Sequence, residues 1–421
     1  MQCLGQTIRV IAIYAWLLLL RRYNEVMGRD LRIGCISTYV PKKCGIATFS
    51  RDLLSGIKDN DAGVSFYIAA AEHARETYDY DRGVVAVLKA DVAKTYLEAA
   101  AKLNALNLDA ILLQHEFGIY GGNLTSFIKN NVMASYPTGD LIFSTLDNLS
   151  SPIITTLHTV IAKPDPARKA VIDRIAKLSL SVVTMTQSSK VILHKDYNIP
   201  ESKVVVIPHG TPTIVKESRS KVLDELGLSK ENFYLVMSGL IGPNKGIDLV
   251  ILAMPEILKK HPEVRLIVIG QTHPDILAVQ GNNYINGLNK LAKSLRVDYA
   301  VSFINKYVST SELSKYLLIT DIYLTPHRDP EQSASGTLAY AVGNGLIAIS
   351  TPYRYAKEIL ASNRGFLVPF ENHAAISRTV NRIITNVELK QRTKRLLKPY
   401  VKAMSWNAVG KSYLKIINAK V

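Results

Sequence analysis

The chain has 421 residues, of which 48% are apolar and 20% charged, and its 24 Gly and 17 Pro are spread along the sequence. This composition excludes a disordered, collagen-like or coiled-coil protein. At about 150 residues per domain, the length is best explained by two large α/β domains. The formal charge of +16 favours anionic partners, namely nucleic acid, anionic lipid or phosphorylated small molecules, without choosing among them.

The cysteine content indicates a reducing compartment. Cys3, Cys35 and Cys44 are odd in number and lack C-x-x-C spacing. They are too few to stabilise a chain of this size through disulfides, so the sequence predicts a cytoplasmic protein.

The amino terminus carries an unbroken apolar run of 11 residues, 10–20, followed at once by two arginines. A bilayer-spanning helix needs about 20 apolar residues, and no small-residue cleavage site follows the run. Three interpretations stay open: a translation start placed too early, with Met27 as the true start; an interfacial helix in peripheral contact with a membrane; or a true anchor. In each case residues 1–27 are an extension, and the fold begins near Arg29.

From Arg29 onward, short β-branched runs alternate with helical stretches, of which 48–57 and 93–106 are the clearest. The first half predicts strands at 31–37, 64–69, 84–88, 110–115, 153–158, 182–186 and 204–207. After a polar stretch around Gly210, the second half predicts strands at 234–237, 265–269, 301–304, 322–325, 346–350 and 365–368. This alternation is typical of doubly wound parallel sheets, so the predicted fold class is α/β with two similar domains that face a cleft.

Polar residues follow the predicted strands of the first half, where a parallel sheet binds its ligands. The loop 38–52, which contains Gly45, suits an anion or a sugar hydroxyl, although simple strand-to-helix punctuation explains it as well. Gln114, His115 and Glu116 precede three glycines and indicate either a polar pocket wall or a capped turn. His158 ends an apolar strand and is either buried or directed into the cleft.

Two segments of the second half are candidates for phosphate binding. Ser238-Gly-Leu-Ile-Gly-Pro-Asn-Lys-Gly-Ile-Asp248 places Lys245 at the start of a helix, although a lone lysine there is usually just solvated. The polar loop 326–337 leads into a predicted helix of small residues at 338–345, which would let a ligand approach the helix end closely.

Eight ordered segments resemble those of the retaining glycosyltransferases of family 4, which have the two-domain GT-B architecture. The segments are K-C-G-I-A-T-F (43–49), Q-H-E-F-G-I-Y-G-G (114–122), T-L-H-T-V (156–160), I-P-H-G (207–210), P-N-K-G (243–246), Q-T-H-P (271–274), E-Q-S-A-S-G-T-L-A-Y-A (331–341) and S-T-P-Y-R-Y-A-K-E (350–358). The similarity runs from about residue 29 to residue 417. It is specific for the family and not for a substrate.

This resemblance implies an organisation and an activity. Residues 28–212 would be a Rossmann-like acceptor-side domain, residues 213–398 a nucleotide-sugar-binding domain, and residues 399–421 a helix that crosses back to the first domain. The implied reaction moves a hexose from a UDP- or GDP-linked donor to a sugar, glycolipid or small-molecule acceptor with retention of configuration. It requires neither a metal ion nor a cofactor. A sugar-nucleotide epimerase or a phosphorylase of the same architecture is the alternative.

The resemblance also implies roles for individual residues. The implied catalytic residues are His158, Lys245 and Glu331, and the implied acceptor or sugar contacts are Gln114, His115 and Glu116. The implied donor-binding residues are Gly45, Gly239, Lys245, Gln332, Ser335, Gly336, Thr337 and Leu338.

The sequence departs from the family pattern at two places. Leu240 stands where the family tends to have a diphosphate-binding arginine. In the Glu-x7-Glu motif, Glu331 or Gln332 fills the first position, depending on a one-residue shift. The second position falls on Ala339 or Tyr340, and neither can supply a carboxylate to the ribose.

The positive charge lies mainly in the second half, with 23 basic and 19 acidic residues before position 210 and 28 and 16 after it. Residues 389–421 hold nine Lys or Arg and no acid, which indicates a solvated helical face or an anionic partner. A nucleic-acid partner is not predicted, because no recognition helix, RNP-like aromatic pair or zinc-ligand spacing is present.

Overall fold

The structure is a computed structural model that describes residues 30–73, 76–122, 124–129, 132–212, 214 and 216–420. The predicted extension at 1–27 and the apolar run within it lie outside the described residues. Of the described helices, none is both long and apolar enough to cross a membrane.

The first half of the chain folds around a seven-stranded parallel sheet. Its strands have the spatial order β3-β2-β1-β4-β7-β8-β9. A separate antiparallel pair, β5 and β6, follows β4 in the chain. The strands are β1 (Arg32–Ser37), β2 (Ser65–Glu72), β3 (Val84–Lys89), β4 (Ala110–His115), β5 (Leu124–Lys129), β6 (Val132–Pro137), β7 (Ile153–Leu157), β8 (Ser179–Thr184) and β9 (Val204–Val206).

The second half repeats this design with a six-stranded parallel sheet in the order β12-β11-β10-β13-β14-β15. The α/β fold class predicted from the strand–helix alternation is therefore confirmed. The strands are β10 (Phe233–Ser238), β11 (Val264–Ile269), β12 (Val301–Ile304), β13 (Ile322–Thr325), β14 (Ala348–Ser350) and β15 (Phe366–Leu367).

Helices cover both sheets and bury their apolar faces against the strands. They are α1 (Gly45–Lys58), α2 (Ala93–Asn104), α3 (Phe143–Leu146), α4 (Pro166–Leu178), α5 (Gln187–Tyr197), α6 (Arg219–Glu225), α7 (Ile247–Leu258), α8 (Pro274–Gln280), α9 (Asn283–Ser294), α10 (Thr310–Ile319), α11 (Gly336–Gly343), α12 (Arg354–Ile359), α13 (His373–Thr385), α14 (Val387–Ala403) and α15 (Trp406–Lys420).

The strand order reverses between β1 and β4 in the first sheet and between β10 and β13 in the second. In open α/β sheets the crevice outside the carboxyl ends of such strands is where ligands bind. The loops after β1, β4, β10 and β13 are therefore the candidates for a ligand-binding site.

Besides other shifts of a few residues at strand and helix ends, three local details were not expected from the sequence. The pair β5 and β6 was not predicted. Strand β8 begins at Ser179, three residues before the predicted strand, because helix α4 runs straight into it and Ser179 hydrogen-bonds both Ile175 and Thr155. Helix α1 begins at Gly45 instead of residue 48, because the Cys44 thiol caps it and accepts the Ala47 amide at 3.3 Å.

The chain passes from the first domain to the second near Thr211 and returns to the first domain near Met404, and these two points are adjacent. The Thr211 amide donates to the Met404 carbonyl at 2.7 Å, so the outgoing and returning segments are bonded to each other. Beyond this point α15 packs against α1 of the first domain, and the Tyr413 and Thr156 hydroxyls meet at 2.7 Å. The last helix thus belongs to the packing of the first domain.

Two glycines allow α15 to approach α1 this closely. A Cβ built on Gly410 would lie 2.2 Å from the Gly56 carbonyl carbon, which forces the helices apart. We expect Gly410→Ala to lower the free energy of unfolding by about 1–3 kcal/mol, measured by urea titration. Gly287→Ala is the matched control, because its added Cβ meets nothing within 4 Å and a helical alanine is favoured by about 0.5–1 kcal/mol. A Gly410→Ala protein at least as stable as the wild type would contradict the close packing.

Candidate active site

The loop after β10 brings a cation to the carboxyl edge of the second sheet. Gly239 has φ of +114°, and its close neighbours are Thr337 of α11 and the ammonium of Lys245. Gly246 has φ of +62° and lies directly on the Pro326 carbonyl, where a Cβ would come within 2.2 Å. The predicted phosphate segment therefore packs on the loop after β13, with Lys245 between the two.

Lys245 has a neutral histidine as its neighbour. Its Nζ lies 3.4 Å from Nε2 of His327, and burial lowers the pKa of Lys245 to about 8. Burial, followed by the nearby Lys245 charge, holds the pKa of His327 well below its usual range. His327 therefore remains an uncharged imidazole beside the ammonium.

Gln332 determines which imidazole nitrogen faces the lysine. Its Oε1 lies 3.0 Å from Nδ1 of His327, and its Nε2 donates to the Ala334 carbonyl at 2.9 Å. An amide oxygen only accepts hydrogen bonds, so Nδ1 carries the proton and Nε2 is left to accept from Lys245. The His327 ring also stacks on Tyr353 with centroids 5.1 Å apart.

The two candidates for the donor-sugar carboxylate position lie in different places. Gln332 reaches inward to His327, whereas the Glu331 side chain is 63% exposed and forms an ion pair with Arg354. Arg354 also donates to the Val160 carbonyl of the first domain at 2.9 Å. Glu331 thus lies at the rim of the cleft, and its catalytic role stays a prediction.

The other arginine near the phosphate segment is already engaged. Arg328 forms ion pairs with Asp248 at 2.6 Å and with Glu371 at 2.7 Å. Hydrogen bonds to these carboxylates raise the pKa of Arg328. Lys245 is therefore a cation without a carboxylate partner among the described residues, unlike Arg328 and Arg354.

The amino end of α11 faces the same region. Ser335 is the N-cap, and its hydroxyl accepts the Leu338 amide at 3.3 Å. The first N–H groups of a helix, here those of Gly336 and Thr337, have no intrahelical partner and attract anions. Gly336 lies close to the first domain, because a Cβ there would be 3.2 Å from Nε2 of His209.

Across the cleft, His158 directly follows β7. Its Nε2 lies 3.0 Å from Oε1 of Gln114, so this nitrogen carries the proton. Burial, followed by the nearby His209 and His115, lowers the pKa of His158 to about 3. The ring packs edge-on against Phe49 with centroids 4.7 Å apart. His158 is thus a neutral side chain held by the strand β4 and helix α1.

Phe49 connects His158 to His209, which follows β9. The Phe49 and His209 ring centroids are 5.1 Å apart, and Trp406 packs on the same phenyl ring at 5.0 Å. His209 Nδ1 lies 2.6 Å from the Gly210 carbonyl and so carries the proton, and burial lowers its pKa to about 4. His209 and His327 were not among the predicted site residues. Their position two or three residues after a strand end, close to that of His158, was the signal that could have identified them.

The three predicted acceptor-side residues occupy different environments. His115 is fully buried between Phe117 and Tyr120, and neither ring nitrogen has a hydrogen-bond partner among the described residues. Gln114 is also buried, and its side-chain oxygen accepts a hydrogen bond from His158. Glu116 accepts the Thr159 hydroxyl at 2.7 Å, while burial raises its pKa to about 7. Of the three, Glu116 alone is partly exposed.

The loop that contains Gly45 borders the cleft from the first domain. A Cβ on Gly45 would meet nothing within 4 Å, so this residue faces open space. Nearby, the Lys43 ammonium lies 5.5 Å from the Tyr307 ring centroid, and Arg51 donates to Thr310 at 3.0 Å. Both contacts join this loop to the second domain. The structure therefore places loops from both domains around one cleft.

The predicted site residues form two groups, one on each domain. Gly239, Lys245, Gln332 and residues 335–338 lie together on the second domain, and Gln114, Glu116 and His158 lie on the first. His115 is fully buried between two aromatic rings, and its ring contacts no other predicted site residue in the described hydrogen bonds. Among the described residues, no group of three or more His, Cys, Asp or Glu side chains is arranged to hold a metal ion.

Comparison with known proteins gives one family and one fold. The sequence model of the family described as Glycosyl transferases group 1 matches residues 218–396. The alpha-monoglucosyldiacylglycerol synthase of Streptococcus pneumoniae is 23% identical over 360 residues, which are 77% of this chain and 72% of that protein. A D-inositol 3-phosphate glycosyltransferase of Segniliparus rotundus is 28% identical over 148 residues, 32% of this chain and 33% of that protein.

Solved structures match over nearly the whole chain. A Rickettsia africae glycosyltransferase superposes with a TM-score of 0.69 at 15% identity, covering 93% of this chain and 99% of that one. Anabaena HepE in complex with UDP and glucose superposes with a TM-score of 0.67 at 13% identity, covering 92% and 100%. At this level of identity the likeness establishes the two-domain fold.

Proposed function

Since the chain belongs to the GT-B glycosyltransferases of group 1, we propose that it transfers a hexose from a nucleoside-diphosphate sugar to a hydroxyl-bearing acceptor with retention of configuration. The donor, UDP- or GDP-linked, binds the second domain in the cleft. The acceptor binds the first domain and is a sugar, a glycolipid or a small molecule. The similar proteins, which include a glucosyldiacylglycerol synthase and inositol phosphate glycosyltransferases, act on acceptors within this range.

The observation that carries this proposal is the convergence of positive charge at one point of the second domain. The Lys245 ammonium, which pairs with no carboxylate in the described part of the chain, lies near Gly239, whose neighbour Thr337 is in the first turn of α11. A diphosphate placed here would contact both a cation and free N–H groups. Such groups stabilise the negative charge that grows on a leaving diphosphate.

The same arrangement supports transfer without a divalent metal ion. Lys245 and the α11 amino end supply the electrophilic stabilisation for which other transferases use a bound cation. We further propose that the acceptor attacks from the face that the diphosphate leaves. Glu331, the carboxylate implied for the donor sugar, is mostly exposed and paired with Arg354, which is a poor environment for a nucleophile.

On the acceptor side, we propose that Glu116 binds an acceptor hydroxyl beside His158. Its carboxyl group is held by Thr159 and by the Phe117 amide, which leaves the partly exposed group with a fixed orientation. With a pKa near 7, Glu116 can accept or donate a proton at neutral pH.

Donor binding is tested by thermal stability. We expect UDP or GDP to stabilise the protein in the presence of EDTA, since a ligand at 100 times its Kd adds about 2.7 kcal/mol. The matching transfer assay should be unaffected by EDTA. If EDTA abolished transfer and magnesium or manganese restored it, the metal-free mechanism would be wrong.

A second experiment distinguishes a transferase from a sugar-nucleotide epimerase or a phosphorylase of the same architecture. Donor alone should give no new sugar nucleotide, because the proposed reaction needs an acceptor. Interconversion of the donor sugar without an acceptor would identify an epimerase, and sugar phosphate formed from a glycoside and phosphate would identify a phosphorylase.

A further inference from the structure

The outer side of the last two long helices carries a row of cations. Arg392, Arg395, Lys398 and Lys402 are spaced three, three and four residues apart, so they lie along one side of α14, opposite the buried Leu397. Two further cations, four residues apart, lie on the exposed side of α15. We call the six residues the basic face: Arg392, Arg395, Lys398, Lys402, Lys411 and Lys415, all of them exposed.

The basic face lacks the carboxylates that accompany several exposed lysines elsewhere in the described part of this protein. Lys221 pairs with Glu217 at 2.8 Å, Lys230 with Asp224 at 2.7 Å and Lys306 with Glu312 at 2.8 Å. None of the six members of the basic face forms an ion pair within the described ranges, and residues 389–421 contain no acid. A merely solvated helix face would gain from opposite charges at these spacings, whereas like charges four residues apart oppose the helix.

Both domains contribute to the basic face. Helix α14 packs on α11 and α13 of the second domain, and α15 packs on α1 of the first. Apolar side chains accompany the cations on α14, where Leu396 and Val401 are each 37% exposed. A row of cations along one exposed side of α14, with apolar neighbours, matches a flat anionic surface.

From this charge pattern we infer that the basic face docks the protein onto an anionic phospholipid bilayer. Lipid headgroups present negative charge over a plane, and each Lys or Arg near such a surface strengthens binding about fivefold. A nucleic acid fits less well, because the aromatic residues of these helices are occupied. Trp406 packs on Phe49, Tyr413 is buried, and Tyr400 lies against the Arg364 guanidinium at 4.4 Å. This inference does not depend on the proposed transfer reaction.

The test is cosedimentation of the full chain with vesicles, without donor or acceptor. Vesicles of phosphatidylcholine with about one third phosphatidylglycerol should bind the protein, and added salt should weaken the binding. The double variant Arg395→Gln/Lys398→Gln should bind about 25-fold more weakly, as two cations at fivefold each require. The matched control Lys221→Gln/Lys230→Gln removes the same charge from paired lysines and should change binding less than about threefold.

Three results would overturn the inference. Equal binding to pure phosphatidylcholine vesicles would show that apolar insertion, not the basic face, holds the protein. Equal losses in the two double variants would show that only net charge matters. Tighter binding to duplex DNA than to the anionic vesicles, lost in Arg395→Gln/Lys398→Gln, would identify a nucleic acid as the partner. A transfer assay on the same variants in detergent should be unchanged, which separates this inference from the proposed function.

Discussion

Lys245→Ala should lower the turnover of sugar transfer about a hundredfold while weakening nucleoside-diphosphate binding less. The Lys245 ammonium lies in a largely enclosed site and has His327, not a carboxylate, as its neighbour. It is therefore available to the charge that develops on the leaving diphosphate, which exceeds the charge already present on the bound donor. Loss of one such electrostatic group costs on the order of 3 kcal/mol.

The measurement is a single-turnover rate together with the nucleoside-diphosphate Kd. Lys260→Ala is the control, since this exposed lysine lies beyond the far end of the helix α7 that Lys245 precedes, and it should leave both values unchanged. His158→Ala removes a neutral side chain of the first domain, so it should slow transfer with a smaller effect on diphosphate affinity. Near-normal turnover in Lys245→Ala would mean that Arg328 or Arg354 leaves its carboxylate partner to hold the phosphates.

The pH dependence gives an independent check on Lys245. Because the pKa of Lys245 is lowered to about 8, its ammonium is present below pH 8 and is lost as the pH rises above it. The kcat/KM value reports the free enzyme and should fall above pH about 8. A bound diphosphate raises the pKa of a neighbouring cation, so the corresponding fall in kcat should lie at a higher pH. Coincident profiles would place Lys245 away from the diphosphate.

His327→Ala should lower turnover about tenfold or more, although His327 carries no charge. The imidazole accepts from Lys245 through Nε2, and without it the ammonium has no fixed position. Small displacements of a positioned group in a closed site cost up to about a hundredfold in rate. The nucleoside-diphosphate Kd should change much less, because the charge of Lys245 remains. An unchanged turnover would show that the ring merely fills space over Tyr353.

Gln332→Glu separates positioning by His327 from simple packing. A carboxylate in place of the amide oxygen, 3.0 Å from Nδ1 of His327, adds negative charge near Lys245 and so raises the pKa of its ammonium. The alkaline limb of kcat/KM should therefore move to higher pH, and KM should rise because the new charge repels the diphosphate. Gln332→Leu lacks the charge and is the control for the pH shift. If the alkaline fall in kcat/KM stayed at the same pH or moved to lower pH in Gln332→Glu, the proposed contacts from Gln332 through His327 to Lys245 would be contradicted.

Much of the architecture was readable from the sequence because it depends on local patterns. The strands β4, β12 and β13 have the predicted bounds, and the other predicted strands differ by one to three residues at an end. The polar residues after strand ends could also be identified as site candidates, because the carboxyl ends of parallel strands lie at one edge of the sheet. Lys245 and His158 were singled out on that ground, and their predicted roles await the measurements above.

Other features depended on contacts between residues far apart in the chain. The sequence left Glu331 and Gln332 as alternatives, and the structure separates them because Arg354 draws Glu331 to the rim while His327 receives Gln332. His327 meets Lys245 from 82 residues away, a pairing that no local pattern encodes.

Burial determined which of the predicted site residues are accessible and how their pKa values change. His115, Gln114 and Glu116 are neighbours in sequence, yet His115 is enclosed by two aromatic rings while Glu116 stays partly exposed. The direction of each pKa change follows from that burial and from partners in other segments, as for the raised pKa of Glu116 and the lowered pKa of Lys245. Sequence periodicity specifies which residues line an edge of a sheet. The packing of two domains specifies which of them reach the cleft and in which protonation state.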